Sequence, residues 1–251
     1  MYDPAAPGSE PAPAGTPRRV LPRQRLVAGA EVLLCSGFPT QLFLIGILAA
    51  FGLPFRTPGG QLSPPFVFTL SLLDTALILG FVIAFLTAHG ESPRHVLLGA
   101  RPPRREALLG LMLIPLVFLF VVLVLALVLS LAPGLHNVPR NPLEDMLQTR
   151  RDAIIFGVVA MIAGGVREEI QRAFILHRFD GYLGGGALGI IVFSTLFGAG
   201  HLDQGYDAAL ATGLLGAAWG AVYLRRRSVI APMVSHAGFN LLQLVNYAAL
   251  R

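Results

Sequence analysis

From residue 29 onward the chain alternates long apolar runs with short connections rich in Pro, Gly and Arg. The runs at 29–53, 66–88 and 107–131 each supply the roughly 20 predominantly apolar residues that a transmembrane helix needs. Further runs follow at 152–176, 184–200, 207–224 and 229–249; the fourth run is apolar at first and charged at its end, and the fifth is short. Residues 54–65 form a Pro/Gly loop, and residues 132–151 form a polar connection that Pro133 and Gly134 open. This pattern predicts an all-α, polytopic transmembrane bundle of about seven to eight helices. It also predicts a single transmembrane domain over residues 28–251. Residues 1–27 are rich in Pro, Ala and Gly and cannot bury a core, which predicts a flexible tail. The run after the tail is too long for the apolar part of a signal peptide and no clear cleavage site closes it, so none is expected.

Composition strengthens the membrane reading. Hydrophobic residues make up 54% of the chain and charged residues 13%, and mean hydropathy is +0.67. An ordinary soluble domain carries about a quarter charged residues, so part of this surface is expected to lie in a lipid bilayer. All 19 basic residues are arginine and the net charge is +5. Charge of that sign would suit nucleic acid, but the arginines sit in short clusters between apolar runs. That placement is an orientation signal of membrane proteins, so no nucleic-acid partner is expected. Arg18, Arg19, Arg23 and Arg25, then Arg94, Arg101, Arg104 and Arg105, then Arg178 and Arg225–Arg227 fall on one side. Only Arg56, Arg140 and Arg251 fall on the other, with Arg150 and Arg151 at a boundary. The bias predicts an inner-membrane protein with a cytoplasmic N-terminus, and seven spans would place the C-terminus outside. Cys35 stands alone and excludes an internal disulfide. Small residues four apart (Ala209 and Gly213, Gly216 and Gly220) predict close helix packing in lipid.

Ionisable groups inside membrane helices cost about 2.5–3.5 kcal/mol each on insertion scales, so each is expected to be paired or functional. Asp74, in the second run, is expected either to pair with an arginine of the bundle, the favoured reading, or to sit at the level of the lipid headgroups. The densest interruption is Val166-Arg167-Glu168-Glu169-Ile170-Gln171-Arg172. Glu168 and Arg172 are four apart and would share a helix face and pair, while Glu169 would point about 100° away, free to face a cavity or another partner. An interfacial salt-bridge cluster explains that stretch equally well. A second interruption is Phe197-Gly-Ala-Gly-His201, where the bland reading is an interfacial histidine. The third is Ser235-His236-Ala-Gly-Phe-Asn240, where His236 and Asn240 would project from one face and interhelical hydrogen bonding is the alternative. Converging, these residues could activate water: a carboxylate as general base, histidine as acid or oxyanion donor, asparagine as a fixed amide donor. Two His and a Glu could also hold a metal with one open position.

The order Glu-Glu…Arg, Phe-x-x-x-His, His-x-x-x-Asn on successive apolar segments resembles the CPBP family of CAAX proteases and bacteriocin-processing enzymes, also called the Abi family. The resemblance covers about residues 150–250 and includes the type II CAAX prenyl endopeptidases. It implies a bundle of about eight membrane helices and an intramembrane endopeptidase acting on a peptide or protein substrate, lipidated or not. By position it assigns the catalytic set to Glu168, Glu169, Arg172, His201, His236 and Asn240. Glu168 with His201 would activate water, His236 and Asn240 would stabilise the oxyanion, Arg172 would orient the carboxylates and Glu169 would support them. No cofactor is expected on that scheme; the alternative is a divalent metal such as zinc on Glu168, His201 and His236. One departure stands out. The family has three residues between the Glu pair and Arg, and this chain has two, Ile170 and Gln171. Keeping the Glu pair in register puts Ala173 at the family's Arg. Aligning on Arg172 puts Arg167 at the first Glu and Glu168 at the second. Two readings of other classes remain, a non-catalytic scaffold or immunity-type factor of the same fold, and a small transporter or channel.

Overall fold

The computed structural model describes residues 20–147 and 149–249. Most of the predicted tail, with Arg18 and Arg19, and Arg251 at the other end, lie outside the described residues. The elements in chain order are α1 (Pro22–Leu34), α2 (Phe38–Ala50), α3 (Pro64–Ala88), α4 (Pro93–Leu98), α5 (Pro103–Leu131) and α6 (Arg150–Ala160). A π-helical segment (Met161–Arg167) then runs into α7 (Glu168–Tyr182), followed by α8 (Gly186–Ala199), α9 (Tyr206–Arg226) and α10 (Ile230–Ala249). No strand is present among the described residues, as expected of a chain that must satisfy its own backbone in lipid.

Proline starts several of these helices. Pro22, Pro64, Pro93 and Pro103 occupy first-turn positions, where a missing N–H is harmless and φ is already helical. The first apolar run departs from its expectation of one continuous span. It breaks at Cys35–Gly37 into α1 and α2, bent by 43°, because Gly37 takes φ 89°, which glycine adopts at little cost. α3, α5 and α9 are each long and apolar enough to cross a membrane, and the bent α1–α2 pair makes a fourth if it counts as one span. The other expected spans are helical but differ in kind. α8 has 14 residues, about 21 Å at 1.5 Å per residue, short of the roughly 30 Å hydrocarbon core. The fourth run carries Arg167, Glu168, Glu169 and Arg172 along its length. α5 turns Leu108, Leu111, Leu116, Leu119, Leu123 and Leu127 outward. An exposed leucine face of that length belongs in lipid, and the protein is an integral membrane protein.

α7 is the axis of the bundle. Its residues from Gln171 to Leu176 are all buried, and α1, α3, α4, α8 and α9 pack around it. Phe174 and Ile175 join Cys35, Ile78, Val82 and Phe193 in one apolar cluster, while Ala173 and Leu176 join Tyr223 and Val229 in another. α10 lies between α5 and the π segment, and glycines permit the approach. A Cβ on Gly165 would come within 2.6 Å of the Ala237 Cβ, and one on Gly110 within 2.7 Å of the Ala231 carbonyl oxygen.

Buried Asp74, Arg167 and Arg178 each have a partner of opposite charge. Asp74 is fully buried and pairs with Arg167 at 3.3 Å, as the sequence predicts for some arginine of the bundle. It also accepts hydrogen bonds from Thr40 and Gln41. Arg167 donates in addition to Gln171 Oε1 at 2.9 Å, and Gln171 donates to the Cys35 carbonyl at the α1–α2 bend. At the other end of α7, buried Arg178 bridges Glu31 and Glu91, whose remaining oxygens face His89 and His177. Partial burial pushes the Glu91 carboxyl up, but hydrogen bonds from Arg178 and His177 outweigh it and hold the group below the usual carboxylate range.

Candidate active site

The fourth apolar run changes its winding just where its charges begin. Met161–Arg167, which contains Gly164 and Gly165, is π-helical, a geometry that often marks functional positions. The wider turn delivers Glu168 and Glu169 to the first turn of α7, opposite α10. Here the structure corrects the expected pairing. Arg172 forms its ion pair with Glu169, three residues away, and both side chains are 1% exposed. Glu168 is the carboxylate left on the more open side, 16% exposed. The expectation of an i,i+4 pair between Glu168 and Arg172 fails because the aromatic side chains on α8 and α9 draw the guanidinium inward. Its carbon lies 5.3 Å from the Phe193 ring centroid, 5.0 Å from that of Phe197 and 5.7 Å from that of Trp219. Ring faces attract a cation strongly when it is desolvated, and Glu169 is the carboxylate on that side.

His236 stands between the two glutamates. Its Nδ1 is 2.8 Å from Glu169 Oε1, and its Nε2 is 3.9 Å from Glu168 Oε2. The first is a direct hydrogen bond. The second is too long for one and short enough for a single water to touch both atoms. Since the Glu169 carboxylate accepts, Nδ1 carries a proton, and Nε2 is the nitrogen presented towards Glu168. Trp219 stacks on the other face of the site: indole and imidazole lie 4.0 Å apart between ring centroids, with planes 17° apart.

Asn240, one turn beyond His236, donates to the Ala160 carbonyl at 3.4 Å, where the α-helix gives way to the π segment. A Cβ on Gly164 would sit 2.6 Å from the Asn240 amide nitrogen and 3.8 Å from His236 Nε2. The gap at Gly164 therefore borders both side chains. His201 is placed differently. Its Nδ1 is 2.8 Å from the Phe197 carbonyl oxygen, and its ring meets the Phe197 ring edge-on. Phe197 in turn lies under Arg172. Among the described residues no hydrogen bond or ion pair joins His201 to Glu168 or Glu169. With Nδ1–H donating to the carbonyl, its Nε2 is free to accept.

Glu168, Glu169, Arg172 and His236 thus form one connected cluster, with Asn240 beside it and His201 linked through the Phe197 ring. Among the described residues, no group of three His, Cys, Asp or Glu side chains is placed to share a metal ion. The set Glu168, His201 and His236 does not fit an ion as arranged. Two features of the site escaped the sequence reading. Trp219 looked like one more apolar residue of the sixth run, although it is the only tryptophan in the chain. Arg167 looked like a further member of the charged cluster, but it pairs with Asp74, 93 positions away.

Residues 150–242, from the start of α6 well into α10, match the family model described as type II CAAX prenyl endopeptidase Rce1-like. The match covers the π segment, both glutamates, both histidines and Asn240. It supports an intramembrane endopeptidase at the level of the family, and a peptide or protein as its substrate. Comparisons with curated proteins and with solved structures found no match.

Proposed function

We propose that the protein is an intramembrane endopeptidase in which Glu168 activates a water molecule for attack on a peptide carbonyl. The observation that carries this reading is His236, held on one nitrogen by buried Glu169 and turned with the other towards the more open Glu168. Glu168 takes the proton of the attacking water. In its imidazolium form His236, held through Nδ1–H by Glu169, offers Nε2–H to the oxyanion as the tetrahedral intermediate develops. Asn240, on the next turn of α10, supplies a second donor through its side-chain amide. His201, with a free Nε2, accepts the proton that Glu168 took from the water and passes it to the leaving amine as the C–N bond breaks. Arg172 neutralises Glu169 and fixes its orientation, and Glu169 fixes the His236 tautomer. The scheme needs no metal, and the connected Glu168–His236–Glu169 array is its support.

The test is hydrolysis by the purified protein in liposomes, on a C-terminally prenylated reporter peptide and on its unprenylated twin, with products identified by mass. Cleavage of either peptide that persists in chelator is the expected result. Activity lost to chelator and restored by zinc would replace the metal-free scheme. No cleavage by folded wild type of these or of a broader set of hydrophobic peptides would favour a non-catalytic, peptide-binding member of the same fold.

We also infer an inner-membrane protein whose N-terminus and α9–α10 turn face the cytoplasm. The arginine bias supports this. Arg227 closes that turn in the left-handed region and pairs with Asp180 at 2.7 Å. Cysteines placed at Arg25 and Arg225, in a Cys35→Ala background, should resist membrane-impermeant thiol reagents in intact cells and react after lysis. Labelling of either in intact cells would reverse the topology.

A further inference from the structure

We propose that Trp219 is a positioning residue for this site, its indole face fixing the plane of the His236 ring so that Nε2 meets the water on Glu168. The inference rests on the endopeptidase reading for its consequence, and on geometry alone for its mechanism. An imidazole hydrogen-bonded through one nitrogen can still pivot about that bond. The Nδ1 contact to Glu169 fixes the position of one corner of the His236 ring but leaves its tilt open. The stack with Trp219, 4.0 Å between centroids at 17°, removes that freedom from one face.

Trp219 is itself held. It is 2% exposed and packed among Val117, Val121, Leu215 and Phe239. Its Nε1–H donates to Ser235 Oγ at 3.2 Å. Ser235 precedes His236 on α10, so the indole holds the side chain next to the histidine as well as the histidine's ring. The same indole lies 5.7 Å from the Arg172 guanidinium carbon. One side chain of α9 thereby sets both the histidine and the arginine that holds the histidine's carboxylate partner. Core packing alone would call for a large apolar residue here. It would not call for a parallel overlap with an imidazole or for a hydrogen bond to the residue before it.

The single tryptophan provides a readout independent of turnover. A stacked imidazole, above all a protonated one, quenches indole fluorescence, so His236→Leu should brighten the protein in detergent. Unchanged emission would show that the rings do not stack and would overturn the proposal. For turnover, Trp219→Leu should lower kcat by about ten- to a hundredfold, the range set by small misplacements of a catalytic group, with KM within about twofold. Trp219→Phe, which keeps an aromatic face, should recover most of that loss. Ser235→Ala, which frees the indole N–H while preserving its face, should fall between. A folded Trp219→Leu protein with wild-type kcat, or a loss confined to KM, would overturn the positioning role. If Trp219→Leu does not fold, Ser235→Ala with wild-type kcat and unchanged emission would overturn it instead. The two readings fail separately. Wild type without turnover but with brightening in His236→Leu sinks the peptidase and keeps the stack; normal turnover without brightening does the reverse.

Discussion

Glu168→Gln is expected to lower kcat by about 10²–10⁴-fold, the usual contribution of a positioned general base. Glutamine keeps the volume and the hydrogen-bonding reach of the side chain and removes only its ability to take a proton. Because Glu168 is partly exposed and lies 3.9 Å from His236, too far for a direct hydrogen bond, the change should leave folding intact. His236→Ala should cost a similar factor. The double variant should lose little more than either single one, since groups that act as a unit are not additive. Asn240→Ala, removing one oxyanion donor, should cost about 10²–10³-fold, and His201→Ala a loss of the general-acid size. Steady-state hydrolysis in liposomes measures all of these. The same series tests the register of the motif. If Glu169→Gln loses more turnover than Glu168→Gln at equal stability, the base is the buried glutamate, and small equal effects throughout would make the cluster structural.

The largest effect on stability is expected at the buried pair behind the histidine. Glu169 and Arg172 are each 1% exposed, and one oxygen of Glu169 and two nitrogens of Arg172 have no hydrogen-bond partner. Arg172→Met strands a carboxylate in the interior, and Glu169→Leu strands a guanidinium among three rings. Breaking a buried pair from one side typically costs about 3–5 kcal/mol, whereas replacing both partners by apolar groups is often neutral. Each single variant should therefore lower the unfolding midpoint in detergent sharply, and the double Glu169→Leu, Arg172→Met variant should recover most of the loss. Single variants within about 1 kcal/mol of wild type, or a double variant no better than either, would show that the ring faces and not the ion pair hold Arg172. The double variant should remain inactive even when stable, because His236 then has no acceptor for Nδ1.

How much of this could be read in advance differs between fold and site. The length of the apolar runs sufficed for an all-helical membrane bundle, because hydrocarbon leaves a lone segment few other ways to satisfy its backbone. The same reading did not find the break at Gly37. A glycine within an apolar run does not say whether it will adopt the left-handed region; packing of Gln171 against the Cys35 carbonyl decides that. Spacing along one helix brought Glu168, Glu169 and Arg172 together, and His236 near Asn240, since i,i+3 and i,i+4 neighbours are local geometry.

Which carboxylate takes the arginine was not local. Sequence spacing puts Glu168 on the face of Arg172 and leaves Glu169, three residues away, still within its reach. The choice falls to Phe193, Phe197 and Trp219, which come from α8 and α9. Likewise Arg167, four residues from Gln171 and beside both glutamates in sequence, turns to Asp74 on α3. The sequence by itself determined that this protein is a helical membrane protein with a carboxylate–histidine–asparagine set in its second half. The pairing of Glu169 with Arg172 and His236, the more open side left to Glu168 and the indole over the imidazole were decided only by tertiary structure. In a low-dielectric interior the partner of a buried charge is whichever group packing brings within reach, and packing joins residues that the sequence keeps far apart.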